Sequence, residues 1–180
     1  MVDEVRDFGR GHTQYIRYTS NGEPLVHPKI YDMLQYSVEH SGVLVALTTN
    51  GTILHDERIE KLLASGLHII DVSIDALNDE TYAKIRKNGR LKVTQGNVHK
   101  LLKLREKHQA RTKIVVSFVE QAQNSSEAAS FEAYWKATGV DYVVIRRLHS
   151  AAGGVTGIAQ SMRKSQSSEK RYPCLYPWVS

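Results

Sequence analysis

Val43-Leu44-Val45-Ala46-Leu47-Thr48-Thr49-Asn50-Gly51-Thr52 runs from unbroken apolar residues into a polar cluster, and a helical pattern follows at once. A continuous apolar run marks a strand covered on both faces. It predicts a strand over Val43–Leu47. Asp56 is the expected cap of the next helix, with Ile59, Leu62 and Leu63 facing inward and Gly66 ending it. Asn50-Gly51 is also a hairpin dipeptide, but a hairpin needs a partner strand, and here a helix comes next.

The same unit repeats on either side. Upstream, Tyr15–Thr19 reads as a strand, and His27-Pro28 opens a helix with Ile30, Met33, Leu34 and Val38 as its apolar stripe and Gly42 at its end. Downstream, Ile69–Ile74 is a third strand. Asn78 or Asp79 caps a helix through Tyr82 and Ile85, and a second helical stretch after Gly89 carries Val98, Leu101 and Leu102. Ile114–Val119 is a fourth strand. Ser125 or Ser126 starts a helix with Phe131, Tyr134 and Trp135, Gly139 ends it, and Tyr142–Ile145 is a fifth strand. Strands alternating with helices imply an α/β fold, a parallel sheet with right-handed crossovers. From Ser150 the pattern stops. Residues 151–171 read as a linker, and Tyr172-Pro173-Cys174-Leu175-Tyr176-Pro177-Trp178 reads as the opening of another module.

Ligands of parallel βα sheets sit at the carboxyl ends of the strands. Three such ends carry polar clusters here: Asn21-Gly22-Glu23-Pro24, Thr48-Thr49-Asn50-Gly51-Thr52 and Ser73-Ile74-Asp75. Gly22 permits close approach of a ligand to the backbone, and Glu23 offers a carboxylate suited to an amine. By the two-residue period Thr48 and Asn50 share one side, as do Ser73 and Asp75. Each cluster also has a plain structural reading, as a turn, a helix cap or an internally satisfied network. With Ser117 of the fourth strand, these residues are expected to surround one face at the strand ends. Of Arg146 and Arg147, period two sends one inward. Arg146 is favoured, as the partner of a carboxylate on cofactor or substrate, and His149 is a further candidate for the cavity.

With 180 residues, 41% of them hydrophobic and 24% charged, the chain suits one globular domain rather than a disordered one. Its apolar runs are strand-sized, short of the ~20 residues of a membrane span. Its first residues hold no apolar signal core, so a cytoplasmic location without membrane contact is expected. The net charge of +5 is spread over helix surfaces and the last segment. Nucleic acid is therefore not the expected partner, and polyanion binding is the weaker reading. The one cysteine, Cys174, excludes an intramolecular disulfide and any all-cysteine metal site from this chain alone.

Taken together, Gly22-Glu23-Pro24, then Thr49-Asn50-Gly51-Thr52 about 25 residues on, then Val72-Ser73-Ile74-Asp75-Ala76, resemble the S-adenosylmethionine (SAM)-binding part of the radical SAM enzymes. The likeness continues through Tyr82–Arg86, Asn97–Arg105, the strand with Ser117 and Asn124–Glu127. It implies an incomplete (β/α) barrel of about five parallel strands over residues 13–150. It also implies SAM binding at Gly22, Glu23, Ser73 and Asp75, with Thr48, Asn50, Ser117 and Arg146 lining the cavity toward SAM or substrate. The ending Pro173–Trp178 is similar to the start of a SPASM extension, over 172–180, whose first cysteine ligates an auxiliary iron–sulfur cluster. Cys174 matches it. That extension occurs in enzymes acting on peptides, so a peptide or small-molecule substrate is implied.

The family's Cys-x3-Cys-x2-Cys loop, which holds a 4Fe–4S cluster through thiolates, is not in this sequence. Asn21 also replaces the usual first Gly of the turn. The expectation is a fragment of a longer enzyme that generates a 5′-deoxyadenosyl radical, the chain alone being inactive and its sheet edge open to self-association. The alternative is a degenerate, non-redox module binding a small molecule or nucleotide.

Overall fold

Five strands form one parallel sheet in the order β1-β2-β3-β4-β5. They are β1 (Tyr15–Tyr18), β2 (Leu44–Thr49), β3 (Ile69–Ser73), β4 (Lys113–Glu120) and β5 (Tyr142–Arg147). The computed structural model describes residues 1–8, 15–19, 22–87 and 89–147. Asn21, His149, the linker 151–171 and Cys174 with its neighbours therefore lie outside the described residues. Residues Met1–Arg146 form one compact unit. Strand order follows chain order throughout, with no reversal, as in a barrel wound in one direction rather than a doubly wound sheet. Tyr18 pairs with Leu47, Thr48 with Asp71, and Ser73 with Ser117, so strand ends that are far apart in sequence stand side by side.

One face of the sheet is apolar. Val45, Leu47, Ile70, Val72, Ile74, Ile114, Val116 and Phe118 are all 0% exposed. They join a cluster with Leu34 of α2 (Ile30–His40), Ile59 and Leu62 of α3 (Asp56–Ala64), Val98 and Leu101 of α5 (Leu91–Lys107), and Phe131 and Trp135 of α6 (Ala128–Thr138). Each such side chain contributes about 1.5–3 kcal/mol by leaving water. The remaining helices are α1 (Val2–Phe8), at the amino end of the described chain, and α4 (Asp79–Ile85), between β3 and α5. By alternation along the strands, the opposite face carries Arg17, Thr48, Asp71, Ser73 and Ser117.

Several boundaries differ from the sequence reading. The helix expected at His27-Pro28 begins at Ile30, because Pro24–Val26 first makes a separate 3-10 turn capped by Glu23. Asp56 is the first residue of α3 rather than its cap; His55 caps it without a side-chain hydrogen bond, and Asp56 and Glu57 complement the helix dipole. Of the two candidates before α4, Asn78 is the cap, its side chain accepting from the Thr81 N–H. Ser125–Glu127 is a 3-10 turn leading into α6. β2 runs on through Thr49, so its polar end belongs to the strand.

Candidate functional site

Thr48 and Thr49 close β2 and point to opposite faces. Thr49, 2% exposed, faces the apolar side, where a bare hydroxyl would be unfavourable. It donates instead to Glu23 Oε1 at 2.8 Å. The Asn50 N–H donates to Glu23 Oε2 at 2.7 Å and the Leu25 N–H to Oε1 at 3.1 Å. One carboxylate thus ties the turn after β1 to the end of β2. Asn50 Oδ1 accepts from the Thr52 N–H and hydroxyl at 2.9 and 2.6 Å, and its amide nitrogen makes no hydrogen bond among the described residues. Gly51 makes the turn at φ +72°, and a Cβ there would sit 2.7 Å from Val72 Cγ1.

After Ser73 closes β3 the chain reverses through Asp75, at φ +66°. Asp is among the few residue types tolerated in that left-handed region. The reversal carries the Asp75 carboxylate to β4, where Oδ1 accepts from the Val119 N–H at 2.7 Å. Its Oδ2 accepts from Arg86 Nε at 3.2 Å and Nη2 at 2.5 Å. Arg86 Nη2 also donates to Ser73 Oγ at 2.7 Å. Asn124 Nδ2 secures the turn through the Asp75 carbonyl at 2.8 Å. Arg86, the residue that caps the C-terminus of α4, is thereby held against the end of β3.

Between these ends lies a cavity of about 340 Å³. Of the residues picked out in the sequence, Gly22, Glu23, Thr48, Asn50 and Ser73 line it, and Thr19, Thr49 and Arg86 complete it. Asp75 does not line it; it is 5% exposed and holds Arg86, which does. Ser117 is 0% exposed, beside Ser73 in register, and its hydroxyl has no partner among the described residues.

Arg146, near the carboxyl end of β5, reaches a second polar group on the same face. Arg17 Nε donates to Thr48 Oγ1 at 2.8 Å, and Arg17 Nη2 to Asp71 Oδ2. Arg146 Nη2 donates to the same Asp71 oxygen at 3.1 Å. Asp71 is 0% exposed, and its Oδ1 has no partner among the described residues. Arg17, Asp71 and Arg86 escaped the sequence reading. Parity held the signal for two of them: Arg17 and Asp71 stand two residues before Thr19 and Ser73. β5, which carries Arg146, is anchored at its start by Asp141. Burial pushes the Asp141 carboxyl up, but the Ile114 N–H (2.8 Å) and the Lys113 (2.8 Å) and Arg105 cations outweigh it and hold it below the usual carboxylate range.

With this polar pocket at the carboxyl ends of sequentially wound parallel strands, the chain matches, over residues 1–116, the model of the family described as the Radical SAM superfamily. The chain belongs to the radical SAM superfamily. It is 40% identical over 86 residues to an AdoMet-dependent heme synthase of Methanosarcina barkeri, covering 48% of this chain and 23% of that protein. It is 30% identical over 149 residues to a tungsten-containing aldehyde ferredoxin oxidoreductase cofactor-modifying protein of Pyrococcus furiosus, covering 82% of this chain and 41% of that one. Among solved structures, SuiB of Streptococcus suis bound to precursor peptide SuiA matches 88% of this chain and 31% of its own, with a TM-score of 0.59 and 18% identity. That likeness shows the fold, a partial (β/α) barrel. The chain spans well under half the length of these relatives.

Radical SAM proteins use SAM and a 4Fe–4S cluster. The pocket's donors and acceptors fit the first. For the second, no group of three His, Cys, Asp or Glu among the described residues could hold a metal ion, and the sequence contains one cysteine. The donor set of this chain does not fit the cluster, which takes several thiolates. No helix among the described residues is long and apolar enough to cross a membrane.

Proposed function

We propose that this chain is the SAM- and substrate-holding part of a radical SAM enzyme, binding SAM in the pocket between Glu23, Asn50, Ser73 and Arg86. The observation that carries this reading is the convergence of those four side chains on one cavity, with complementary unfilled hydrogen-bonding capacity. A carboxylate has about four acceptor positions. Three on Glu23 are filled from within the protein, which leaves room for an ammonium donor. Arg86, held by Asp75 and Ser73, presents a guanidinium to the methionyl carboxylate. The Ser73 hydroxyl accepts from Arg86 and keeps its own proton to donate. The Asn50 amide nitrogen and the Thr48 hydroxyl supply further donors. The volume lies at the small end of the roughly 300–1,000 Å³ of small-molecule sites.

Asp75 and Asn124 are positioning residues in this scheme: they set Arg86 and the β3 turn without facing the cavity. Thr48 and Arg146 line the path from SAM toward the substrate, with the buried Ser117 behind it beside Ser73. The reaction class of the whole protein is hydrogen abstraction by a 5′-deoxyadenosyl radical. Its substrate is a small molecule or a peptide; the peptide option is supported by the complex of SuiB with its precursor. Cys174 is assigned to an auxiliary cluster in a SPASM-type module over 172–180, following a barrel over 13–150 and a linker over 151–171.

Calorimetric titration of the chain with SAM tests the SAM assignment. The expected result is saturable binding, weakened at least tenfold by Ser73→Ala and by Arg86→Gln. Equal heats for all three proteins would refute it.

A further inference from the structure

We infer that the substrate bears an acidic group, a carboxylate or a phosphate, and that Arg17 and Arg146 receive it on the inner face of the barrel. This rests on the SAM reading for the reaction but on separate residues for the binding.

The geometry of this cluster is unlike that of a salt bridge built for stability. Arg–carboxylate pairs that serve structure are commonly bidentate, two N–H groups against two oxygens. Here two guanidiniums from opposite edges of the sheet converge on one oxygen of Asp71, and the second oxygen takes no bond among the described residues. Each guanidinium has five N–H groups. Arg17 uses Nε on Thr48 and Nη2 on Asp71, and Arg146 uses Nη2 alone. The remaining N–H groups bond nothing among the described residues.

Charge and exposure agree. The cluster holds two cations against one anion. The anion is 0% exposed, whereas the Arg17 and Arg146 side chains are 28% and 39% exposed. The carboxylate is therefore covered, and it fixes two cationic forks that stay open to the barrel interior. An incoming acid group would meet donors already oriented, which lowers the ordering cost of binding. The bare Asp71 Oδ1 is covered with the rest of the carboxylate, which therefore holds the two forks and does not itself meet the incoming molecule.

The position suits a substrate. Arg17 and Asp71 lie two residues along their strands from Thr19 and Ser73, which line the SAM pocket. The acid group therefore lies next to the pocket wall: Arg17 Nε is 2.8 Å from Oγ1 of Thr48, which stands in register with Asp71. Thr48 links the two, since it lines the pocket and accepts from Arg17. A small molecule can therefore span from the acid site to the SAM pocket.

The test is nitrogen-15 NMR of the arginine Nε–Hε groups in the full chain. Pyrophosphate and succinate are added in separate arms, with sodium chloride at matched ionic strength as control. The expected result is saturable shifts at Arg17 and Arg146 with at least one of the two anions, weakened at least tenfold by Arg146→Gln. Tighter binding of pyrophosphate assigns a phosphate, and tighter binding of succinate a carboxylate. Arg17→Gln leaves a buried carboxylate short of a cation and endangers folding, so the paired variant Arg17→Gln/Asp71→Asn is measured alongside and is expected to lose the saturable shift. Shifts that merely follow the chloride control overturn the proposal. So do saturable shifts that survive both variants, which would mean an adventitious ion only. SAM binding is read in the same spectra from the amides of Gly22, Asn50 and Ser73. Its failure with the arginine shifts intact would remove the SAM reading and leave the acid site standing.

Discussion

Replacing Gly51 by alanine probes the turn that shapes the pocket. Two effects add there. At φ +72° an L-residue is disfavoured by about 1–2 kcal/mol. The new Cβ would also lie 2.7 Å from Val72 Cγ1 and 3.1 Å from Thr94 Cγ2. Both neighbours are 0% exposed, and Thr94 is hydrogen-bonded to the Tyr82 hydroxyl, so neither can simply swing away. Overpacking of this kind costs about 1–3 kcal/mol. Gly51→Ala should therefore destabilise by about 2–5 kcal/mol. Gly42→Ala is the internal control: its φ is +69°, but nothing lies within 4 Å of the added Cβ, so only the first effect applies. Urea denaturation of the two variants measures the difference, expected at about 1–3 kcal/mol. Val72→Ala in the Gly51→Ala background removes the nearest atom and should show favourable coupling in a double-mutant cycle. Equal destabilisation by Gly51→Ala and Gly42→Ala, or a cycle with no coupling, would refute the packing argument.

Other outcomes follow from the same contacts. Glu23→Gln loses a charged acceptor shared by the Thr49 hydroxyl and two backbone N–H groups, and should cost about 1.5–3 kcal/mol of stability in thermal or urea unfolding. Asp141 is held below its unfolded value. Its contribution is complete above about pH 4 and disappears as pH falls through the folded value. Asp141→Asn should therefore cost about 1–3 kcal/mol at neutral pH and flatten the acid limb of the stability profile measured by urea midpoints. Purified chain incubated anaerobically with iron, sulfide, dithionite and SAM should yield no 5′-deoxyadenosine above a protein-free control, because one cysteine cannot supply the thiolates of the family cluster.

The repeating strand–helix text was readable because each unit ends on a residue with a physical role. Gly42, Gly66 and Gly139 all adopt the positive φ that a chain needs on leaving a helix. Parity along β2 and β3 exposed Thr48, Asn50 and Ser73, because polar side chains at alternate positions of an apolar strand must meet polar partners on the face they share. Parity put Asp75 beside Ser73, and one Arg86 nitrogen does bond both, but the left-handed turn at Asp75 also carries its carboxylate to the Val119 N–H of β4, and it does not line the cavity. Thr49, on the core side of β2, went unread: its hydroxyl is answered by Glu23, 26 residues away, through a turn no local pattern describes. Asp71 was hidden inside the run Ile69–Ile74, and its partners lie 54 and 75 residues distant. Long-range ion pairs of this kind leave no periodic trace. Arg86 sits at the end of α4, where a cation ordinarily serves the helix dipole.

The most direct test of the central claim is the location of SAM on the chain. Amide spectra of nitrogen-15-labelled protein, recorded during titration with SAM into the millimolar range, should show saturable shifts centred on Gly22, Asn50, Gly51 and Ser73, with the Arg86 Nε–Hε group moving in step. Residues at the opposite end of the strands, such as Leu44, Ile69 and Lys113, should not move. Shifts concentrated at that opposite end, or none at all, would contradict the account.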